Sequence, residues 1–263
     1  MNKNSIGKYF PKYIKLTSII LWALGVSLTV LPIVYMFFWS LWGTSVVGQL
    51  REFSGVTLKW FFKVFNSSEW RQSLSYSVIL AMGVSFTGVI INSIYYYVIG
   101  FTNKIIDSIC FTLNALVLLT PLIIYGLSLG FVGSYIGVGS EILMFFGHLA
   151  WIIPLQFLVF EAFRDSVPPE MIKASKTMGA SDTSTFIHVF CPVARIPILS
   201  SFTLGFFLSF DEVVIANYVI DGPNKTVPLK LWKEQSHTVD PDSAVVTVSI
   251  VIIVLFIIYT FQK

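Results

Sequence analysis

Asp211 and Glu212 stand side by side within the apolar stretch SFTLGFFLSFDEVVIANYVI. An uncompensated carboxylate at the centre of a membrane helix costs about 2.5–3.5 kcal/mol on insertion scales, so such residues face a bundle interior or a wet cavity. There they attract cations, and a nearby ring such as Tyr218 adds a cation–π face suited to an ammonium group. Adjacent positions diverge by about 100° around a helix. One carboxylate is therefore expected to face a path through the protein while the other pairs with a neighbouring helix. A structural pair or a capped turn is the competing reading.

The remaining polar residues with chemical potential suggest structural roles. His148, inside another apolar stretch, is expected to hydrogen-bond to a neighbouring helix, and His188 and His237 join no HExxH or related ligand pattern. Cys110 and Cys191 lack metal-ligand spacing and read as small buried side chains. The segment GVSF could offer Ser85 to His148 as a nucleophile, yet it has neither a nucleophile turn nor an oxyanion arrangement. No catalytic residue, metal or cofactor is expected in the chain. It contains no GxxxxGK[ST] phosphate loop, so any nucleotide must be handled by another subunit.

The elements that hold these residues must be membrane helices. Of 263 residues 55% are hydrophobic, 16% aromatic and 12% charged, with a mean hydropathy of +0.78. Soluble domains carry about a quarter charged residues. The composition predicts an all-α polytopic membrane protein, since lipid offers no partner for unpaired backbone groups. A span needs about 20 mostly apolar residues, and six stretches qualify: 16–41, 73–99, 108–133, 141–160, 196–220 and 243–261. The first apolar run, 16–42, is too long for a cleavable signal. Lys3, Lys8, Lys12 and Lys15 precede it, which places both termini in the cytoplasm. The formal charge of +3 thus bears on orientation, and no nucleic acid is expected as a partner.

The loop 43–72 is then external, and its Trp60, Phe61, Phe62, Phe65 and Trp70 suggest a short helix at the headgroup level. Gly126, Gly130, Gly133 and Gly137 allow close helix packing. A turn is expected at Asp221, Gly222, Pro223 and Asn224.

One stretch, PPEMIKASKTMGASDTSTFIHVFCP at 168–192, interrupts the apolar pattern. Pro168 and Pro169 suit a helix entrance and Gly179 an exit. Between them Met171, Ala174, Ser175 and Met178 recur at helical spacing, with Lys173 and Lys176 off that face. A second helix is expected to start at Ser181–Asp182, to carry Thr183, Phe186, Ile187 and Phe190 on one side, and to be limited by Pro192. Neither is long enough to be stable alone. Pattern leaves two readings open: an interfacial loop resting on lipid, or a helix presented to a groove on a cytoplasmic partner, with methionines as adaptable contacts.

The same stretch resembles the EAA loop of permeases in ATP-binding-cassette importers, E-A-A-x3-G-x9-I-x-L-P. Lys173-Ala174-Ser175 stands at the EAA, Gly179 follows after three residues, and Val189-Phe190-Cys191-Pro192 stands at the I-x-L-P after nine more. Lys173, Ser175 and Cys191 depart from the pattern, while the spacing is intact. Pro168-Pro169-Glu170 and Gly179-Ala180-Ser181 also look like family members, and LLTPLIIYGLSLG and GHLAWIIPLQFLVFEAFRD are similar to the third and fourth spans of such permeases. The stretch from SFDEVV onward resembles the last two spans of the spermidine/putrescine branch, the likeness covering most of the chain from Ser73.

The resemblance implies one permease domain over 1–263, with 168–192 as a cytoplasmic coupling loop between spans four and five. Glu170, Met171, Lys173, Ala174, Ser175, Met178, Gly179, Ala180, Ser181 and Pro192 would meet an ATPase dimer, which would bind ATP and Mg. A second permease subunit, an external substrate-binding protein and the lipid bilayer would be the other partners, in the bacterial inner membrane. Asp211, Glu212 and Tyr218 would line the path of a polyamine. An ion-coupled secondary transporter or channel is the alternative mechanism, and an opine or phosphonate the alternative cargo.

Overall fold

The computed structural model describes residues 12–43, 55–100, 104–220, 222, 224–235 and 241–261. Lys3 and Lys8, residues 44–54 of the expected external loop, Asp221 and Pro223 of the expected turn, and His237 lie outside the described residues. The chain forms two compact units, 1–67 with 233–263 and 68–232.

In the first unit, α1 (Lys12–Ser40) packs against α13 (Pro241–Phe261), which also meets α2 (Lys59–Asn66). Helix α1 is exposed from Ile14 to Tyr35, as an apolar helix facing lipid or a partner must be. Its hydroxyls turn back on its own carbonyls, Ser27 Oγ donating to Ala23 O at 2.8 Å and Thr29 Oγ1 to Val26 O at 2.8 Å. The next helix already begins at Ser68 and carries Trp70, while a short helix, α2, stands within the expected loop 43–72. Its Trp60 is buried and donates from Nε1 to Trp42 O at 2.7 Å, while Phe62 is exposed. Lys59 and Lys63 fold over the Trp60 ring, at 4.4 and 5.4 Å from its centroid, and Lys63 pairs with Asp242 at 2.5 Å.

The second unit centres on α3 (Ser68–Tyr95), α6 (Ser140–Ala162) and α10 (Arg195–Asp211), which pack on one another. Their junction is a buried amide. Gln156 of α6 donates from Nε2 to Ser85 O and Ser201 O, each at 3.1 Å, and so ties α3 to α10. Gly88 and Gly205 supply the room, for a Cβ at either would run into the Gln156 side chain. Ser85 is spent on this junction, its Oγ donating to Phe202 O at 2.6 Å, and is no nucleophile for His148.

Among the described residues, three helical stretches are long and apolar enough to cross a membrane unbroken, Ile14–Ser40, Ser68–Gly100 and Ser140–Ala162. Two further spans are possible if each of two bent pairs counts as one, and α13 coincides with the expected stretch 243–261. The expected span 108–133 is broken. Helix α4 (Lys104–Leu119) and α5 (Leu122–Ile136) meet at 92°. Pro121 lacks a donor and disfavours helix in the residue before it, and it holds φ −57°, ψ 125° at the corner. The expected span 196–220 is broken too, between α10 and the short α11 (Val214–Val219), where Glu212 adopts an extended conformation.

Candidate functional site

The coupling stretch folds as its spacing requires. Helix α7 (Pro169–Thr177) begins with Pro168 outside and Pro169 in the first turn, where a missing N–H matters least. It stops at Gly179, whose φ of +88° disfavours other residues. The Ala180 N–H then reaches Ser175 O at 3.2 Å and the Gly179 N–H reaches Lys176 O at 3.0 Å, the paired bonds of a Schellman stop. Ser181 caps the next helix, α8 (Asp182–Thr185), its Oγ accepting from Ser184 N at 3.2 Å.

The two faces of this stretch differ from the pattern read along the chain. Glu170, Met171, Lys173, Ala174, Met178 and Gly179 are exposed, Met178 at 82%. Ser175 is turned inward, 6% exposed, with its Oγ 3.0 Å from Thr185 Oγ1. A five-residue π-turn, Phe186–Phe190, follows α8. Thr183 and Ile187 are exposed, while Phe186 and Phe190 stack at 5.5 Å on the inner side. Pro192 does not limit the segment. It falls in α9 (Cys191–Val193), which continues the helix from Asp182 directly after the π-turn, and the chain turns at Ala194, into a 76° bend before α10.

Tyr97 receives this inner side. Residues Tyr96–Gly100 form a second π-turn at the end of α3. The Tyr97 ring lies edge-on to Phe186 at 5.3 Å and to Phe190 at 5.7 Å, and its hydroxyl shares a proton between Asp182 O at 3.1 Å and Oδ1 at 3.3 Å. Lys176 pairs with Asp182 at 2.5 Å, which raises the lysine pKa above its usual value. Both partners are exposed, so the pair contributes little to stability.

The acidic pair occupies the break between α10 and α11. Asp211 is exposed at the end of α10. Glu212 is buried and caps α11, Oε1 accepting from Ile215 N at 2.6 Å and Oε2 from Ala216 N at 3.2 Å. His148 of α6 brings Nε2 to 3.1 Å from Glu212 Oε2, off the line of a hydrogen bond. Its Nδ1 lies 2.9 Å from Ser209 Oγ. Hydroxyl, imidazole and carboxylate thus follow one another as in a hydrolytic relay. All three are buried and both Glu212 oxygens are engaged, so the arrangement fastens helices rather than exposing a nucleophile.

Tyr218, on α11, is partly exposed beside α5. A Cβ at Gly126 would lie 3.3 Å from the Tyr218 ring, and one at Gly130 would lie 2.6 Å from the Tyr218 carbonyl oxygen. The structure therefore brings Glu212, His148 and Ser209 together and seats α11 on α5. Ser209 and Gln156 escaped the sequence analysis. Their signal was a polar side chain within an apolar run, the same signal that marked Asp211.

Residues 96–263 match the family described as binding-protein-dependent transport system inner membrane component. The spermidine/putrescine transport system permease protein PotC of Escherichia coli K12 is 23% identical over 216 residues, 79% of each chain. The PotC permease of Haemophilus influenzae is 24% identical over 210 residues, covering 76% of this chain and 79% of its own. A chain of a bacterial ABC transporter involved in the import of the acidic polysaccharide alginate superposes with a TM-score of 0.72 at 15% identity, over 97% of this chain and 98% of that one.

Proposed function

This chain belongs to the family of binding-protein-dependent transport system inner membrane components, and on that premise we propose that it imports polyamines as one half of an alternating-access pathway. It is a permease subunit of an ABC importer, in a membrane and multi-pass. It makes and breaks no bonds. A cytoplasmic ATPase dimer binding ATP and Mg supplies the free energy, a second permease completes the path, and an external binding protein delivers the solute. Both termini lie in the cytoplasm, so α7 and α8 face the ATPase.

The observation that carries this reading is the two-sided coupling stretch. Its outer side presents Glu170, Met171, Lys173, Ala174 and Met178, and its inner side is held by rings and hydrogen bonds. A helix that keeps soft apolar side chains in water while its polar Ser175 is turned in is arranged to meet a groove. Gly179, Ala180 and Ser181 set the turn between its two helices, and Pro192 lies just before the bend into α10.

For the cargo, exposed Asp211 supplies the negative charge and Tyr218 the aromatic face that a polyammonium chain needs. Glu212 serves the path indirectly, as the cap that fixes the break beside Asp211. The relatives that transport spermidine and putrescine support this cargo.

The test is to tag the chain, solubilise native membranes gently and identify the co-purifying subunits by mass spectrometry. A second permease and a cassette ATPase are expected. Recovery of the chain alone, under conditions where known importers stay whole, would overturn the coupling reading. Uptake of radiolabelled spermidine that requires ATP completes the test, and the same flux in ATP-depleted vesicles holding an ion gradient would refute it.

A further inference from the structure

The coupling stretch is covalently tied to α6 and α10, and its side chains also meet the π-turn that ends α3. We infer that Tyr97 is a transmission residue, the joint through which displacement of the coupling helices reaches α3. This rests on the proposed coupling role of 168–192.

Consecutive residues of the π-turn at the end of α3 face different structures. Tyr96 is buried against α6, stacking on Phe160 at 5.2 Å and donating from its hydroxyl to Glu161 Oε2 at 2.8 Å. Arg164 holds Glu161 from the other side and also reaches Asp107 Oδ2 at 2.8 Å and Gly100 O at 2.9 Å. Tyr95 closes the set by donating to Asp107 Oδ1 at 2.7 Å. The end of α3 is thereby locked to α4 and α6.

Tyr97 turns the other way. Three separate parts of the coupling stretch converge on its phenol: Lys176 of α7, 5.7 Å from the ring centroid, Asp182 of α8 at the hydroxyl, and Phe186 and Phe190 of the following π-turn at the ring. A π-turn inserts a residue into a helix and re-aims its side chains, and it recurs at functional positions. Here two such turns, one on each partner, meet through Tyr97. A push on α7 or α8 therefore bears on the ring directly, and the lock around Tyr96 prevents the end of α3 from yielding by itself.

The experiment uses the complex purified with its ATPase and placed in lipid nanodiscs. Cys110 and Cys191 are changed to serine, and a fluorophore is attached to a cysteine at exposed Leu74, near the far end of α3. Trapping the complex with ATP and vanadate is expected to change the emission in the parent chain. In Tyr97→Ala the emission change should fall by about fivefold or more, the lower range of allosteric coupling, while ATP hydrolysis continues. Tyr97→Phe, which keeps the ring contacts, should retain most of it. A full emission change in Tyr97→Ala would overturn the inference. So would joint loss of hydrolysis and emission change in Tyr97→Ala and Tyr97→Phe alike, because the residue would then serve assembly alone. A parent chain that recruits no ATPase refutes the coupling reading, and the inference falls with it. No readout depends on the cargo, so an error there leaves the test intact.

Discussion

Replacing Glu212 tests whether the break beside Asp211 is built by one carboxylate. Glu212→Ala removes the acceptors of two backbone N–H groups, those of Ile215 at 2.6 Å and Ala216 at 3.2 Å, from a buried place. Each buried donor left without its acceptor costs about 1–3 kcal/mol. The longer bond sits at the low end, and the His148 contact is poorly aligned. The expected destabilisation is about 3–5 kcal/mol. Glu212→Gln keeps one oxygen for Ile215 but turns an amide donor towards Ala216, so about half that loss is expected. For a chain of this size each kcal/mol lowers Tm by about 2–4 °C, which gives a fall of about 6–20 °C for the alanine variant. The assay is the temperature at which tagged protein in mild detergent loses its monodisperse elution peak. Adding His148→Ala to Glu212→Ala should cost less than the sum of the separate losses by about 1 kcal/mol at most. A Glu212→Ala chain melting within about 2 °C of the parent would refute the capping argument.

Other substitutions probe the remaining contacts. Gly130→Ala forces a Cβ against the Tyr218 carbonyl oxygen, so α5 and α11 must separate; a loss of about 1–3 kcal/mol is expected, read as a lower Tm with reduced uptake. Gln156→Leu removes the donor shared by Ser85 O and Ser201 O, which keep their partners within α3 and α10, so a loss of about 0.5–1.5 kcal/mol per hydrogen bond is expected, whereas unchanged melting would show that α3 and α10 do not depend on the junction. Gly179→Ala meets open space but a φ of +88°, so only about 1 kcal/mol of strain is expected, and a fall in Tm beyond about 10 °C would contradict a purely backbone effect. Asp211→Asn should raise the KM for radiolabelled spermidine by about tenfold, the worth of about 1.4 kcal/mol, with the complex intact; an unchanged KM would remove Asp211 from the path.

Hydropathy was enough to find the helices, because backbone satisfaction in lipid leaves no alternative. It did not find the corners. The apolar run 108–133 passes through Pro121 without a change in composition, so hydropathy sees one span where the backbone turns by 92°. At Glu212 the obstacle was different. A linear reading treated Asp211 and Glu212 as neighbours on one helix, but Glu212 gains more by capping a new helix than by continuing the old one. The outward Met171, Ala174 and Met178 followed from helical spacing, whereas Ser175 did not, because its direction is set by Thr185 ten residues away. Neither π-turn has a periodic signature, which left Tyr97 out of sight.

The seam between α5 and α11 has a kinematic consequence. At Gly126 and Gly130 the two backbones come close, with Tyr218 the side chain beside them, and Gly126 faces the Cα of Ile215 directly. Side chains between helices act as springs, because a rotamer change can absorb a small slip. Here Tyr218 alone lies beside the contact, so little side-chain give separates α11 from α5, and a change in their angle at this seam must part the backbones.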